Sequence, residues 1–485
     1  MKHTIRCLFV TTMLTLTAAV EAQEEVTTEE SESPRFTLGG GAGLVTLGSQ
    51  QWYRLNFRPE IPVGNAGVAL DLELFIDNRG NFNKKGWDFS TGTTAMESLL
   101  RKIYYVRYGH PSEHLYARVG ALDEVTLGYG FIMNRYRNTL DYPAIKRTGL
   151  YISAKDISSL KVGLEGVMTN FQDLKNEGAL VGGRFSIHPL ANALLLNRLQ
   201  VGATIVYDIN QFSGLQDGDE DGIPDLIDDF PEDEKRSVDS DGDGIEDADD
   251  IDDDNNNRVD TDYPKNSPLD SLTTVQIRSI SNLADSTLTS RKDLFNLKTA
   301  PSDAFGMFGF DIGYPIFERE RTKLVLYAQY ARIIDDDDTG GKAEGFGIAG
   351  PGIAVKAGAL HGKLEYRHFK DQFLPEYFDN IYDLDRARID QKTGRATPKE
   401  ATLSGLSQDV SVDGAFGEAG ANFGEMIDIT ANYQYLTGFT NIMTGEDKTN
   451  QRLIARGELL PQVLERIPHL SKAVAYYEKD NIGTR

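Results

Sequence analysis

Apolar and polar residues alternate with a period of two along much of the chain. Between Gly67 and Asp77, Leu70, Leu72, Leu74 and Ile76 fall on one face and Asp71, Glu73 and Asp77 on the other, the pattern of a β-strand with one apolar and one polar side. Tyr104, Val106 and Tyr108 likewise oppose Arg101, Tyr105 and Arg107; Leu115, Ala117 and Val119 oppose His114, Tyr116 and Arg118; Leu160, Val162 and Leu164 oppose Lys161 and Glu165. Val201, Ala203, Ile205 and Tyr207 share a face opposite Thr204 and Asp208, and Leu324, Leu326, Ala328 and Tyr330 oppose Lys323, Tyr327 and Gln329. Leu364 and Tyr366 oppose Lys363, Glu365 and Arg367, and Ile427, Ile429, Ala431, Tyr433 and Tyr435 oppose Asp428, Thr430, Asn432 and Gln434. Roughly 14 to 18 such segments of about ten residues follow one another, a count and length that suit a barrel.

Alternation alone also suits a soluble sandwich or propeller, so the aromatic residues matter. In a membrane barrel the apolar face meets lipid and aromatics gather where strands cross the interface. Trp52 and Tyr53, Tyr129 and Phe131, Tyr314 and Phe317, Tyr330, Phe369, Tyr476 and Tyr477 lie near segment ends, which favours the membrane barrel. A hydrophobic share of 40% is compatible with it, because a barrel turns only one strand residue in two toward lipid. No run approaches the roughly 18 apolar residues of a membrane-spanning helix, so a crossing has to be made by closed strands.

Residues 1–22 carry Lys2 and Arg6, an apolar core from Leu8 to Val20 and a small-residue cleavage site at Val20-Glu21-Ala22, the layout of a secretory signal peptide. The only cysteine, Cys7, lies inside it, so the exported chain is expected to have no disulfide. An acidic flexible leader, 23–35, follows.

Charge is concentrated in one place. The 485-residue chain has a net charge of −24, and the stretch from Asp217 to Asp262 supplies −19 of it, with 22 acidic and 3 basic residues. Within it Asp217, Asp219, Asp221, Gly222, Asp225 and Asp228 recur as Asp239, Asp241, Asp243, Gly244, Asp247 and Asp250. A third, degraded copy runs Asp252, Asp254, Asn256, Asn257 and Asp260. Alternate Asp side chains point hard oxygens into one turn, the glycine folds the chain back at positive φ, and the later Asp residues complete the 6–8 oxygens that Ca²⁺ takes. An EF-hand is excluded: Pro224 and Glu246 stand at the eighth loop position, Asp228 and Asp250 at the twelfth, and Pro231 bars a following helix.

These copies resemble thrombospondin type-3 repeats, including the alternation of a longer and a shorter unit, 217 to 239 and then 239 to 252. Phe230 stands before Pro231 where the animal proteins have a cysteine, so ion binding alone would have to order the stretch. The strand segments, from about residue 36 to 480, resemble outer-membrane β-barrel proteins of Gram-negative bacteria in style. They depart from them in ending Asn481-Ile482-Gly483-Thr484-Arg485 rather than on an aromatic residue.

The expected architecture is therefore all-β: an antiparallel transmembrane β-barrel with an inserted acidic calcium-binding repeat loop. Its parts are a signal peptide (1–22), a leader (23–35), a first barrel part (36–211), an insertion (212–303) with repeats at 217–264, a second barrel part (304–480) with a long loop at 370–410, and a tail (481–485). Long insertions favour the external side. Asp71, Glu73, Arg101, Arg107, Arg118, Lys161 and Glu165 are expected to face the lumen, as a polar interior or as an ion-selecting constriction.

The scattered histidines form no H-E-x-x-H and the chain has no G-x-S-x-G elbow, so no enzyme is expected. His361 and His368 near Glu365 are weak metal-ligand candidates, and Asp335 to Asp338 read as a solvated turn. Net negative charge argues against a nucleic-acid partner. The resemblance implies a porin- or channel-like protein of the cell outer membrane whose partners are membrane lipid, calcium, and small solutes or a surface polysaccharide or protein. The alternative is a surface adhesion or structural protein whose barrel only anchors the calcium-binding repeats.

Overall fold

A computed structural model describes residues 37–47, 50–77, 102–140, 142, 145–191, 193, 196–239, 245–246, 294–319, 321–335, 342–391, 393–405, 411–423, 426–440, 447–459 and 474–480. Before the acidic insertion come β1 (Thr37–Leu47), β2 (Gln50–Val63), β3 (Ala66–Leu70), β4 (Leu72–Asp77), β5 (Ile103–Tyr108), β6 (Leu115–Gly120), β7 (Gly149–Ile157), β8 (Val162–Met168), β9 (Leu180–Ile187) and β10 (Gln200–Asp208). After it come β11 (Phe305–Arg319), β12 (Thr322–Asp335), β13 (Gly345–Ala357), β14 (Leu360–Asp371), a small hairpin of β15 (Ala387–Asp390) and β16 (Arg395–Pro398), and then β17 (Ser411–Phe423), β18 (Ile427–Thr440), β19 (Asp447–Leu459) and β20 (Val474–Asp480).

All but the small hairpin belong to one 18-stranded sheet. Its ladders are antiparallel and follow chain order, with β14 pairing β17 across the small hairpin. Strands β3 and β4 both pair with β2, so they are one strand bent at Asp71. Among the described residues the ladders run from β1 at one end to β20 at the other, the meander of an up-and-down barrel. No described helix is long and apolar enough to cross a membrane.

Antiparallel order sorts the connections onto two rims. Turns 64–65, 109–114, 158–161, 320–321, 358–359 and 424–426 and the connection 188–199 leave from one rim, and connections 121–148, 169–179, 209–304, 336–344 and 372–410 from the other. Gly64 closes the β2–β3 turn at φ +62°, a conformation in which a Cβ would be strained.

Burial across the sheet is inverted relative to a soluble protein. Phe310, Ile205 and Leu364 are 54%, 49% and 61% exposed, whereas Glu365 and Arg367 on the opposite face of the same strand as Leu364 are each 2% exposed. The outward apolar positions Val119, Ile152, Phe185, Ile312, Leu326, Ile353 and Ile429 repeat this on other strands. An outward face of exposed apolar residues over an inner face that buries charged side chains such as Glu365 and Arg367 is what lipid solvation selects.

Three expectations of facing are corrected. A register shift between Ala69 and Leu70 against β5 turns Tyr104 inward, where it is buried, while Val106 and Tyr108 stay exposed. Lys161 lies in the 158–161 turn at φ +47° rather than on the inner face of a strand. Tyr129, Phe131 and Phe369 are not interface aromatics: Tyr129 and Phe131 belong to connection 121–148, and Phe369 points inward and is buried.

The inner face is covered by two connections folded back from the long-connection rim, 121–148 and 372–405. Leu122, Val125, Leu127, Phe131, Ile132, Met133 and Tyr136 of the first join Phe373, Tyr377, Phe378, Tyr382 and Leu403 of the second in one buried cluster with inward residues such as Val206, Phe305 and Met307. The two segments also pair through backbone, Glu376 N–H donating to Phe131 O at 2.8 Å and Asn134 N–H to Phe378 O at 3.1 Å. Inward glycines make the room: a Cβ at Gly347 would collide with the Phe373 ring, and one at Gly309 would come within 3.0 Å of Ile132 Cδ1.

Candidate functional site

The first acidic repeat follows a 3₁₀ turn, Gln211–Gly214, that leaves the end of β10. Each Asp uses one oxygen to fold the loop. Asp217 Oδ2 accepts from Gly222 N–H at 2.9 Å, Asp219 Oδ1 from Asp221 N–H at 3.1 Å and Asp221 Oδ1 from Ile223 N–H at 2.6 Å. Asp225 Oδ1 accepts from Gly218 N–H at 2.6 Å, and Asp228 Oδ1 from Phe230 N–H at 2.8 Å. Gly222 takes φ +106°, which the fold-back requires.

The other oxygens are the chemically informative ones. Ligand oxygens of Asp217, Asp219 and Asp221 lie within 4.8 Å of one another. Asp217 Oδ1, Asp219 Oδ2 and Asp228 Oδ2 are buried with no hydrogen-bond donor among the described residues, a costly state for a carboxylate unless a cation compensates it. Asp221 Oδ2 accepts from the Ser237 hydroxyl, and Asp225 is exposed. Burial, backed by the neighbouring carboxylates, raises Asp217 and takes Asp228 up to about 6, against the pull of the backbone donors. Hard oxygens crowded in this way fit a divalent cation such as Ca²⁺.

Asp239, the first residue of the second copy, donates its N–H to Asp229 Oδ2 at 3.0 Å. Asp241, Asp243, Asp247, Asp250, Asp252, Asp254, Asn256 and Asp260 lie outside the described residues.

The first repeat is tied to the rest of the long-connection rim. Leu297 N–H donates to Gly222 O at 2.7 Å and Phe295 N–H to Gly394 O, in the β15–β16 turn, at 2.8 Å. Phe212 and Phe295 rings lie 4.6 Å apart.

Beneath it, Arg386 is inserted between strand ends. Its Nε donates to Asp208 Oδ2 at 2.5 Å, and Nη2 to Asp208 Oδ1 at 2.7 Å and Ser213 Oγ at 2.8 Å, while Nη1 bonds Asp173. Tyr382 OH also donates to Asp208 Oδ2, at 2.9 Å. Nearby, Tyr136 OH donates to Asp383 at 2.9 Å, and Arg147 Nε lies 3.6 Å from the same carboxylate. Burial lifts Asp383 to about 6 despite Arg147 and Arg386. Glu376, where burial is outweighed by Lys363 and Arg367, is held at about 2.

The inner face of the strands is paired rather than open. Arg107 bonds Glu60, and Arg118 bonds Asp123 at 2.5 Å while its guanidinium lies 3.9 Å from the Tyr105 ring centroid. Asp71 lies 3.2 Å from Arg58 Nε, and Glu165 accepts from Tyr151 OH at 2.7 Å. Arg184 chelates Asp311, with Nη2 to Oδ1 at 2.9 Å. Arg367 bonds Glu365 and Glu376, the latter at 3.0 Å, and lies 3.7 Å from the Phe416 ring centroid. Arg101 and the side chain of Glu73 lie outside the described residues. His361 and His368 do not form a metal pair, because seven residues along one strand puts them on opposite faces; His368 Nδ1 is 2.8 Å from Asp413 Oδ1 instead. Asp335 is buried at a strand end, accepting from Ala343 N–H at 2.5 Å, and 336–338 lie outside the described residues.

No family model matches the sequence, and no curated protein matches it. Similar solved structures include Wzi of Escherichia coli, an outer membrane protein involved in group 1 capsule assembly and described as a carbohydrate-binding β-barrel, at 11% identity over 92% of this chain and 80% of that one, TM-score 0.34. OccAB4 of Acinetobacter baumannii is 9% identical over 92% of this chain and 93% of that one, TM-score 0.35. A BenF-like porin of Pseudomonas fluorescens is 8% identical over 92% of each chain, TM-score 0.34.

Proposed function

We propose that the chain is a porin- or channel-like β-barrel of a bacterial outer membrane, with its interior narrowed by infolded segments 121–148 and 372–405 and a calcium-binding repeat module on its long-connection rim. The observation that carries the membrane reading is the inverted burial across the sheet, with Leu364 61% exposed beside Glu365 and Arg367 at 2%. An aqueous sheet would hide the first and expose the others.

Calcium is assigned to the first repeat because buried carboxylate oxygens of Asp217, Asp219 and Asp228 lack donors while their partner oxygens are already used to fold the loop. The second copy, Asp239 to Asp250, and the degraded third repeat the spacing. Extracellular modules of this kind bind at roughly 10⁻⁴ to 10⁻³ M. Titration calorimetry on the full chain in detergent should give a stoichiometry one ion lower for Asp217→Asn/Asp228→Asn than for wild type; equal stoichiometry and affinity would remove the first site from the account.

One observation favours a second reading, an anchored adhesion or structural protein. The interior is filled at the long-connection rim by fully buried Met133, Tyr136, Tyr377, Phe378 and Tyr382. Planar-bilayer recordings separate the two: stable conductance steps support the channel, and a silent, heat-modifiable barrel supports the anchor.

A further inference from the structure

The outward face of the sheet is apolar over most of its height, yet its outermost row on the long-connection rim carries two cations. Cross-strand register sets Phe308 of β11 beside Arg332 of β12, Arg332 beside Phe346 of β13, Phe346 beside Lys370 of β14, and Lys370 beside Ser411 of β17. All five lie within three residues of a strand end, on the long-connection rim. Strands are spaced about 4.8 Å apart, so Arg332 and Lys370, two strands apart, sit roughly 10 Å from each other.

The next outward row toward the sheet centre is Phe310, Tyr330, Ile348, His368 and Asp413. Aromatic contacts knit the two rows: Phe308 with Phe310 at 6.0 Å, Tyr330 with Phe346 at 5.9 Å and Phe346 with His368 at 6.2 Å between ring centroids. Farther in, Ile312, Leu326, Ile353 and Leu364 are exposed and wholly apolar. From the rim inward the rows thus pass from two cations set among aromatics, through a mixed row with Phe310 and Tyr330, to aliphatic residues, and cations with aromatics above aliphatics suit the headgroup and interface levels of a lipid leaflet.

Arg332 and Lys370 are exposed and have no ion-pair or hydrogen-bond partner among the described residues. The one carboxylate in the adjacent row, Asp413, is already engaged by Tyr366 OH at 2.6 Å and His368 Nδ1 at 2.8 Å. On the opposite rim of the same strands, by contrast, Lys323 is paired with Glu318 at 2.7 Å. Unpaired cations bordering an apolar face are tolerated where an anion meets them at the interface. A guanidinium in addition matches phosphate with two parallel hydrogen bonds.

We propose that Arg332 and Lys370 bracket the phosphate of an anionic membrane lipid, with its acyl chains lying along Phe310, Ile348 and Leu364. Directly below the two cations Phe310, Ile348 and Leu364 expose apolar surface that a soluble anion would leave uncovered and acyl chains would cover, so a lipid is the occupant. The assignment rests on the reading that the outward face meets lipid.

The test is native mass spectrometry of the full chain released from detergent micelles, titrated with the phosphorylated lipid A, with zwitterionic phosphatidylcholine as control and inorganic phosphate as competitor. Wild type should retain lipid A adducts at least ten-fold more than Arg332→Gln/Lys370→Gln, should retain phosphatidylcholine weakly, and should keep its lipid A when millimolar phosphate is added. Arg332→Lys should keep part of the retention. Equal retention by wild type and the double variant would overturn the proposal, and so would displacement by inorganic phosphate, which would make the row a soluble-anion site. Gel migration of the same samples before and after boiling separates loss of the lipid site from absence of a membrane barrel. A heat shift in both proteins with equal adducts sinks the lipid site alone, and no heat shift in wild type sinks the membrane reading with it.

Discussion

Arg386 offers the sharpest perturbation of how the interior is held shut. It is 2% exposed, and its guanidinium is bonded to Asp208, which is 0% exposed, and to Asp173, which is 3% exposed. Removing one member of such a buried set leaves uncompensated charge and costs about 3–5 kcal/mol. At 1.36 kcal/mol per factor of ten, Arg386→Met should raise the open population of segment 372–405 on the order of 10²- to 10⁴-fold. The strand ladders are not touched, so the heat-shifted migration of the barrel should survive. Hydrogen exchange of the Glu376, Phe378 and Tyr382 amides, which donate to Phe131 O, Ile132 O and Asp379 O, reads the opening directly. The triple variant Arg386→Met/Asp208→Asn/Asp173→Asn should recover much of the protection, because no buried charge is left unpaired. Unchanged protection in Arg386→Met, or a triple variant no better than the single, would refute the idea that this cluster latches the segment.

Other consequences follow from the same geometry. Gly347→Val places a branched side chain against the Phe373 ring; overpacking costs about 1–3 kcal/mol, so exchange near Phe373 should rise while Gly457→Ala, where a Cβ meets open space, leaves it unchanged. The raised Asp383 sets a pH dependence: a carboxyl lifted to about 6 holds its proton better folded than unfolded. Its contribution therefore favours the infolded segment at acid pH and is lost as pH rises through about 6. After correction for intrinsic exchange, 372–405 should be better protected at pH 5 than at pH 7.5, and Asp383→Asn should flatten that difference; better protection at pH 7.5 would contradict it.

Much of the sheet was legible because a strand's two faces repeat every second residue. Leu364 and Tyr366 against Glu365 and Arg367 needed only that rule, as did Leu115 and Val119 against Tyr116 and Arg118. The rule failed where the backbone left the period: a register shift turned Tyr104 inward, and a positive-φ turn took Lys161 off its strand. It also cannot tell an aromatic that meets lipid from one that meets an infolded segment. Phe369 faces Phe373 and Phe131 with ring centroids 5.5 and 6.1 Å away, and Tyr129 stacks on inward Tyr327 at 4.5 Å.

The clustering of Asp217, Asp219 and Asp221 was readable because all three sit in one short turn. The Arg386 cluster was not, since its partners lie 178 and 213 residues away in the chain. A polar stretch in sequence gives no sign of which arginine will be buried. Inward glycines such as Gly309 and Gly347 are the trace it leaves, since an inner face lined with glycine has something packed against it.

The claim on which everything else depends is that the exposed apolar face meets lipid, and a single substitution tests it. Leu364 lies mid-strand, outward and 61% exposed. If lipid covers it, Leu364→Arg should reduce the folding free energy into phospholipid vesicles by about 2–4 kcal/mol, with a smaller loss for an arginine placed near the strand end at Ile348. If the face meets water, both substitutions should change stability by no more than about 0.5 kcal/mol, and that result would contradict the account.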